Sequence, residues 1–133
     1  GTFPYSGERD SPKFGDYEAQ RHWMEITLHL SPSQWYSHSP PQNDLEYWGL
    51  DYPPLSAYIS WLFSHLIRFS DPPAMALLTS HGHESEVSRA AMRMTVLLAD
   101  VFVLFPALAL FASALYTRAS KPQQHYALMI TVV

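Results

Sequence analysis

The run from Met94 to Tyr116 constrains this chain more than any other feature, being apolar apart from Thr95, Asp100 and Ser113. A helix rises about 1.5 Å per residue and about 20 apolar residues cross the hydrocarbon of a bilayer, so this run is long enough to span one. Arg89 and Arg93 precede it and Arg118 and Lys121 follow it, so basic residues on both sides leave its orientation open. Pro106 predicts a kink, which membrane helices tolerate. Asp100 is the costly residue. A carboxylate at the centre of a membrane helix costs about 2.5–3.5 kcal/mol on insertion scales, so it must face other helices or water. That implies further spans beyond this one. The alternative for the same run is the buried core helix of a soluble domain.

Composition excludes several functions. Net charge is −4 with no cluster of Lys or Arg, so the footprint of a nucleic-acid binder is absent. With no cysteine there is no disulfide framework, thiolate metal site or Cys nucleophile. The single Asn, Asn43, precedes Asp44-Leu45 and makes no glycosylation sequon. Four Trp, eight Tyr and eleven Pro suit segments at a membrane interface. The chain opens on Gly1 and closes on the apolar run Tyr126 to Val133, so both ends read as cuts in a longer protein. The lack of a signal peptide then says nothing about targeting.

Four segments follow from the pattern. Residues 1–14 are punctuated by Gly, Ser and Pro and read as an extended segment without a core. Residues 15–88 form a large loop region. Within it Asp16 is placed to cap a helix over Tyr17 to Leu30, with Glu18, Arg21 and Glu25 on one face and Trp23, Ile26 and Leu30 on another. Ser31-Pro32 ends that helix. Ser33 to Pro54 shows no period and reads as an ordered aromatic loop. Leu55 to Phe69 reads as a second helix, too short to span and so interfacial, and Ser70 to Ser88 as a polar loop. Residues 89–118 carry the membrane helix, and 119–133 a loop and the start of the next.

Two stretches carry a family resemblance, Gly15-Asp-Tyr-Glu-Ala-Gln-Arg-His-Trp-Met-Glu-Ile-Thr27 and Trp48-Gly-Leu-Asp-Tyr-Pro-Pro-Leu-Ser-Ala-Tyr58. They resemble the first lumenal loop of the α-1,3-glucosyltransferases that use dolichyl-phosphate-glucose in N-glycan precursor assembly. The run Gln20-Arg-His-Trp-Met-Glu25 favours the member that adds the first glucose. The resemblance covers Phe14 to Tyr58, then Arg93 to Leu115, and is weak over Gly1 to Lys13 and Pro72 to Ser88. It implies a mainly α membrane protein, a fragment of a GT-C type multi-helix fold, multi-pass in the endoplasmic reticulum membrane with a lumenal active loop. It also implies an inverting transfer of glucose to the oligomannose of a dolichyl-diphosphate-linked precursor, without a cofactor or a bound metal. This chain alone would be inactive, since other helices and loops complete the donor and acceptor sites.

Direct displacement at a sugar needs a carboxylate to take the proton of the attacking hydroxyl. Asp16, beside flexible Gly15 at a helix mouth, has that reach, and by resemblance it matches the position of the family's general base. Its bland reading is a cap. Glu25 is the runner-up, more than two turns deeper. Arg21 is placed to clamp the donor phosphate or to pair with Glu18 or Glu25. His22 either binds sugar hydroxyls or phosphate or packs as a satisfied histidine, and Glu18 lies within reach of the same site. Asp51 and Tyr52, in Asp51-Tyr-Pro-Pro54, form a rigid turn and a second candidate substrate contact. Trp23, Trp35, Tyr36 and Trp48 either stack on sugars or pack in a core. His81-Gly-His83-Glu84 offers three adjacent donors, a weak metal pattern.

Two other classes remain open on the residues alone. A non-catalytic membrane adaptor or an inactive truncated product keeps the apolar helix and the aromatic loop but has no need of Asp16, Arg21 and His22 in this order. A soluble helical domain needs Met94–Tyr116 buried.

Overall fold

A computed structural model describes residues 5–118. Among the described residues the fold is mainly helical, and the sole β feature is an isolated antiparallel bridge between Ser39 and Asn43. The helices are α1 (Gly15–His29), α2 (Leu45–Trp48), α3 (Pro54–Ser70), α4 (Glu86–Ala99) and α5 (Phe105–Arg118), with short 3-10 turns at Pro32–Gln34 and Pro72–Met75. The chain divides into two units, Gly1–Arg93 and Met94–Val133. The expected loop and next membrane helix over 119–133 lie outside the described residues.

In the first unit α1 is the central element. Pro32 forces Ser31 towards extended backbone, and the helix ends just before it at Leu30, itself extended (φ −102°, ψ 156°). One side of α1 packs Ala19, Trp23 and Ile26 against Trp35, Leu50 and Ala57. Another packs Met24 against Ile67, Ala74, Met75 and Ala91. The Glu18, Arg21 and Glu25 face is buried as well, so α1 has apolar contacts on two sides and an ionic one on a third. The two-faced amphipathic helix of the sequence is therefore a core helix.

α3 is built the other way round from a soluble amphipathic helix. Its inward strip is Ala57, Ser60 and Ser64, small residues that let the backbones of α3 and α1 approach, and Ile67, which packs in the core with Met24. Its large apolar side chains Leu55, Tyr58, Ile59, Trp61, Leu62 and Phe69 are exposed, Phe69 by 88 %.

Several expectations change. Residues 5–14 run through successive turns, with Glu8 N–H bonded to Tyr5 O, Asp10 N–H to Gly7 O and Phe14 N–H to Asp10 O, and so are not extended. The segment after α3 is not a polar loop, because Ala74, Met75, Ser80 and Ser88 are buried and it closes over α1. The aromatic stretch, read as a loop, contains the short helix α2. Asn43 lies under it, its amide donating to the carbonyls of Gln34, Trp35 and Ser37.

The helix Glu86–Arg118 runs 33 residues with mean hydropathy 2.3 in its most apolar window, of which 6 % is buried. A core helix of a soluble domain would be covered, and this one is bare. Pro106 has no N–H and its ring crowds the carbonyl four residues back, so the ladder cannot continue unaltered. The chain answers with a π turn over Asp100–Leu104, in which Phe105 N–H bonds to Asp100 O.

Candidate active site

The site is organised by how α1 begins. Phe14 is the N-cap residue, in the left-handed region at φ 56°, and Gly15 follows at φ 77°. A Cβ on Gly15 would lie 2.2 Å from Ser6 O and 2.9 Å from the Gly7 carbonyl carbon, so only glycine fits this crossing of the chain on itself. Gly15 is pinned, not flexible. Asp16 is displaced from the expected capping position into the first turn, where its carboxylate is exposed and favourably placed in the helix dipole. The helix has no side-chain cap, because the reversal at Phe14 and Gly15 starts it before Asp16.

The backbone leading into Asp16 is held by the second motif. Trp48 Nε1–H donates to Lys13 O at 2.7 Å, and Lys13 Nζ donates to Glu46 O at 2.5 Å. Gly82, at φ 72°, leaves room for the Phe14 ring, since a Cβ there would meet that ring at 2.8 Å.

Below Asp16 lies a buried ionic network. Arg21 is 0 % exposed. Its Nε and Nη2 donate to Glu18 at 2.6 and 2.5 Å, and its Nη1 faces Glu25 Oε2 (2.8 Å), Ala74 O (2.8 Å) and Ser80 Oγ (2.6 Å). Tyr47 OH donates to Glu18 Oε1 at 2.9 Å. Leu78 N–H and Ser80 Oγ–H donate to Glu25 at 2.8 and 2.9 Å. Burial pushes the Glu25 carboxyl up, but the His22 ring, the Arg21 guanidinium and the Leu78 N–H outweigh it and hold it at about 2. Burial, with Glu18 beside it, pushes the Tyr47 phenol up. Burial opposes the Arg21 charge, while its bonds to Glu18 and Glu25 raise it and keep it ionised.

These contacts decide between the alternatives left open by the sequence. Arg21 makes a buried pair with both glutamates and not a surface pair with one, and a phosphate reaches it only if the network opens. His22 is 2 % exposed, yet neither ring nitrogen has a hydrogen-bond partner, so it is not a satisfied packing histidine. Asp51 and Tyr52 are exposed on the turn before α3, and Tyr52 meets Trp23 edge to face at 5.1 Å. The hydrogen bond that opens α3 runs from Ser56 N–H to Pro53 O, without the Asp51 carboxylate. The candidates therefore fall into two groups on different sides of α1, one around Arg21 and one around Trp23. Trp23, Trp35 and Trp48 serve as packing rings, with indole N–H groups bonded to backbone carbonyls.

The trio His81, His83 and Glu84 comes apart. His83 Nε2 faces Asp71 Oδ2 at 3.0 Å, Glu84 accepts from Tyr5 and Arg89, and His81 stacks on Tyr47 with ring centroids 4.2 Å apart. Asp71 also accepts from Ser85 Oγ–H at 2.5 Å, which ties the segment down. Tyr47, Ser80 and Asp71 carry no motif signal in the sequence. Two cavities flank this region. One of about 640 Å³ is bordered by Phe14, Pro41, Asp44, Tyr47 and His81, and one of about 330 Å³ by Tyr5, Arg9, Tyr17, Glu18 and Arg89. Asp16 lines neither of them.

A bare apolar helix long enough to cross a membrane, joined to a helical unit that offers a free carboxylate above a locked ionic network, defines a membrane-associated helical protein with a polar site. The profile of the ALG6, ALG8 glycosyltransferase family matches residues 10–133, and the chain belongs to that family. It is 50 % identical over 120 residues to the probable dolichyl pyrophosphate Man9GlcNAc2 alpha-1,3-glucosyltransferase of Dictyostelium discoideum, covering 90 % of this chain and 23 % of that one. The protein of the same description in Arabidopsis thaliana is 54 % identical over 116 residues, 87 % of this chain and 21 % of the relative. The dolichyl pyrophosphate Man9GlcNAc2 alpha-1,3-glucosyltransferase of Rattus norvegicus is 49 % identical over 126 residues, 95 % and 25 % of the two chains. The chain thus spans about a quarter of the length of the curated relatives it matches.

Proposed function

We propose that this chain is the Asp16-bearing portion of a GT-C type glucosyltransferase of the endoplasmic reticulum membrane. The enzyme moves glucose from dolichyl-phosphate-glucose to the oligomannose of a dolichyl-diphosphate-linked N-glycan precursor, forming an α-1,3 linkage with inversion at the anomeric carbon of the β-linked donor. Similarity to the α-1,3-glucosyltransferases supports the acceptor and the linkage, and the bare apolar helix supports the membrane setting.

One observation carries the assignment of the base. Of the three carboxylates on α1, Glu18 and Glu25 are 1 % and 0 % exposed and consumed by Arg21, while Asp16 alone is open to solvent. Glu25, held at about 2, is also a poor proton acceptor. In the reaction the acceptor hydroxyl oxygen attacks the anomeric carbon of the donor. The bond from that carbon to the phosphate oxygen breaks, its electron pair leaves with dolichyl phosphate, and Asp16 takes the hydroxyl proton. Arg21 and Glu18 act one layer down as positioning residues that fix the axis of α1. Asp51 and Tyr52, exposed at the turn before α3, are the candidate carbohydrate contacts. The exposed apolar face of α3 lies in the lumenal interface of the membrane, where amphipathic rings are favoured.

The test is Asp16→Asn in the full-length protein, assayed for glucose transfer in microsomes. The expected loss is about 10²–10⁴-fold at unchanged protein level, the range for a positioned general base. A wild-type rate removes Asp16 from the chemistry and leaves Asp51 as the next carboxylate to change.

A further inference from the structure

We propose that His22, Glu25 and His81 form a structural site for one divalent transition-metal ion of the zinc class, which staples α1 to the segment that follows Met75. The ion takes no part in glucose transfer, and the inference does not depend on that reading.

The first support is an unmet need. Two buried carboxylates, Glu18 and Glu25, surround one buried guanidinium, Arg21, which leaves one negative charge in the interior. Beside it the imidazole of His22 is 2 % exposed, neither nitrogen has a hydrogen-bond partner, and its one charged neighbour is Glu25 Oε2, 3.5 Å from Nδ1. Buried charge and buried polar nitrogen are both costly unless paired, and a cation bound between them answers both.

The second support is geometry. His22 Nδ1 lies 3.5 Å from Glu25 Oε2, too long for a hydrogen bond. Two ligands held at about 2.0–2.2 Å on a tetrahedral ion stand about 3.4 Å apart, so this pair is already spaced for one. Residues three apart share a helix face, so α1 supplies both. The ligand atoms of all three residues lie within 4.8 Å of one another. His81 is exposed and sits on a loop, and its side chain has at most about 1.4 Å to close, the 4.8 Å spread less the roughly 3.4 Å ligand spacing.

The surroundings are those of an oriented ligand set. Glu25 accepts from Leu78 N–H, Ser80 Oγ–H and Arg21, which fix the carboxylate, and Tyr47 stacks on His81 and fixes its ring. Ser80 and His81 are adjacent, so one segment delivers both a ligand and an outer partner. Two imidazoles among three ligands select a borderline ion such as Zn²⁺ or Co²⁺ over Ca²⁺ or Mg²⁺, which take oxygen ligands.

The test uses the full-length natural protein, purified in detergent, stripped with chelator and titrated with Zn²⁺ by calorimetry and with Co²⁺ by visible absorption. One equivalent of Zn²⁺ is expected, with a tetrahedral-type Co²⁺ spectrum and a rise in melting temperature. His81→Ala, a change at an exposed side chain, should weaken binding about 100-fold or more and remove that rise. His83→Ala, which loses only its contact with Asp71, should leave both intact. Absence of saturable binding, or binding unchanged in His81→Ala, overturns the site and marks any bound metal as adventitious.

Discussion

At Gly15 the entry to α1 depends on the absence of one carbon. A left-handed backbone costs a residue with a Cβ about 1–2 kcal/mol, and here the Cβ also meets Ser6 O at 2.2 Å. Gly15→Ala is therefore expected to destabilise the first unit by more than about 2 kcal/mol and to lower glucose transfer by shifting Asp16, both read on the full-length protein. Arg21 holds two carboxylates, so removing it strands them. Arg21→Met should cost about 3–5 kcal/mol in thermal or denaturant unfolding, the range for breaking a buried pair. Glu25 gives the same network a pH signature. Its carboxyl is depressed from 4.5 to about 2, so the folded state binds this proton less readily than the unfolded one. Its contribution is fully present above pH 4.5 and is lost as pH falls towards 2, and integrated over that window it is of the order of 3 kcal/mol. Hydrogen exchange at α1 across that range measures it, and Glu25→Gln should flatten the response. A profile unchanged by Glu25→Gln would show that this carboxylate does not carry the acid sensitivity.

At the scale of elements, helix existence was legible and helix environment was not. The stretch from Tyr17 to Leu30 without Gly or Pro, closed by Ser31-Pro32, marks α1 within a residue or two of its observed ends. Its charged face read equally well as solvated or paired. The groups that decide the matter, Ala74, Leu78 and Ser80, stand 53 to 59 residues away and have no periodic signal. Asp16 was legible as a candidate from its order in the motif, but its displacement from the cap was not. That follows from Ser6 and Gly7 crossing Gly15, a contact between turns. α3 was legible as apolar and short, and its inside-out arrangement explains why. With Ala57, Ser60 and Ser64 inward, its large side chains need another apolar partner, and the membrane interface supplies one. In nanodiscs containing brominated lipid, Trp61 fluorescence, isolated by subtracting a Trp61→Phe variant, should be quenched by half or more. Unquenched emission would place α3 against protein or water.

For the whole molecule, the decisive fact is that the most apolar stretch is the least covered. Only 6 % of the hydropathic window in Glu86–Arg118 is buried, so among the described residues little covers it, and an apolar surrounding such as lipid or further helices is needed. Asp100 separates those two. It opens the π turn that Pro106 imposes, where the backbone ladder is already disturbed, and a carboxylate there is tolerated against protein or water but not against acyl chains. Two measurements on Asp100→Leu should therefore point in opposite directions. In an insertion assay of residues 86–118 alone, scored by glycosylation of flanking acceptor sites, the substitution should favour the membrane by about 2.5–3.5 kcal/mol, since a penalty in hydrocarbon is removed. In the full-length protein, on the proposed multi-helix reading, the same substitution removes a group that other helices or a water-filled cleft would meet. There it should lower the yield of folded enzyme or its glucose transfer several-fold. Improved insertion together with unchanged folding and activity would mean that Asp100 faces nothing, and the requirement for further spans around this helix would lose its physical basis.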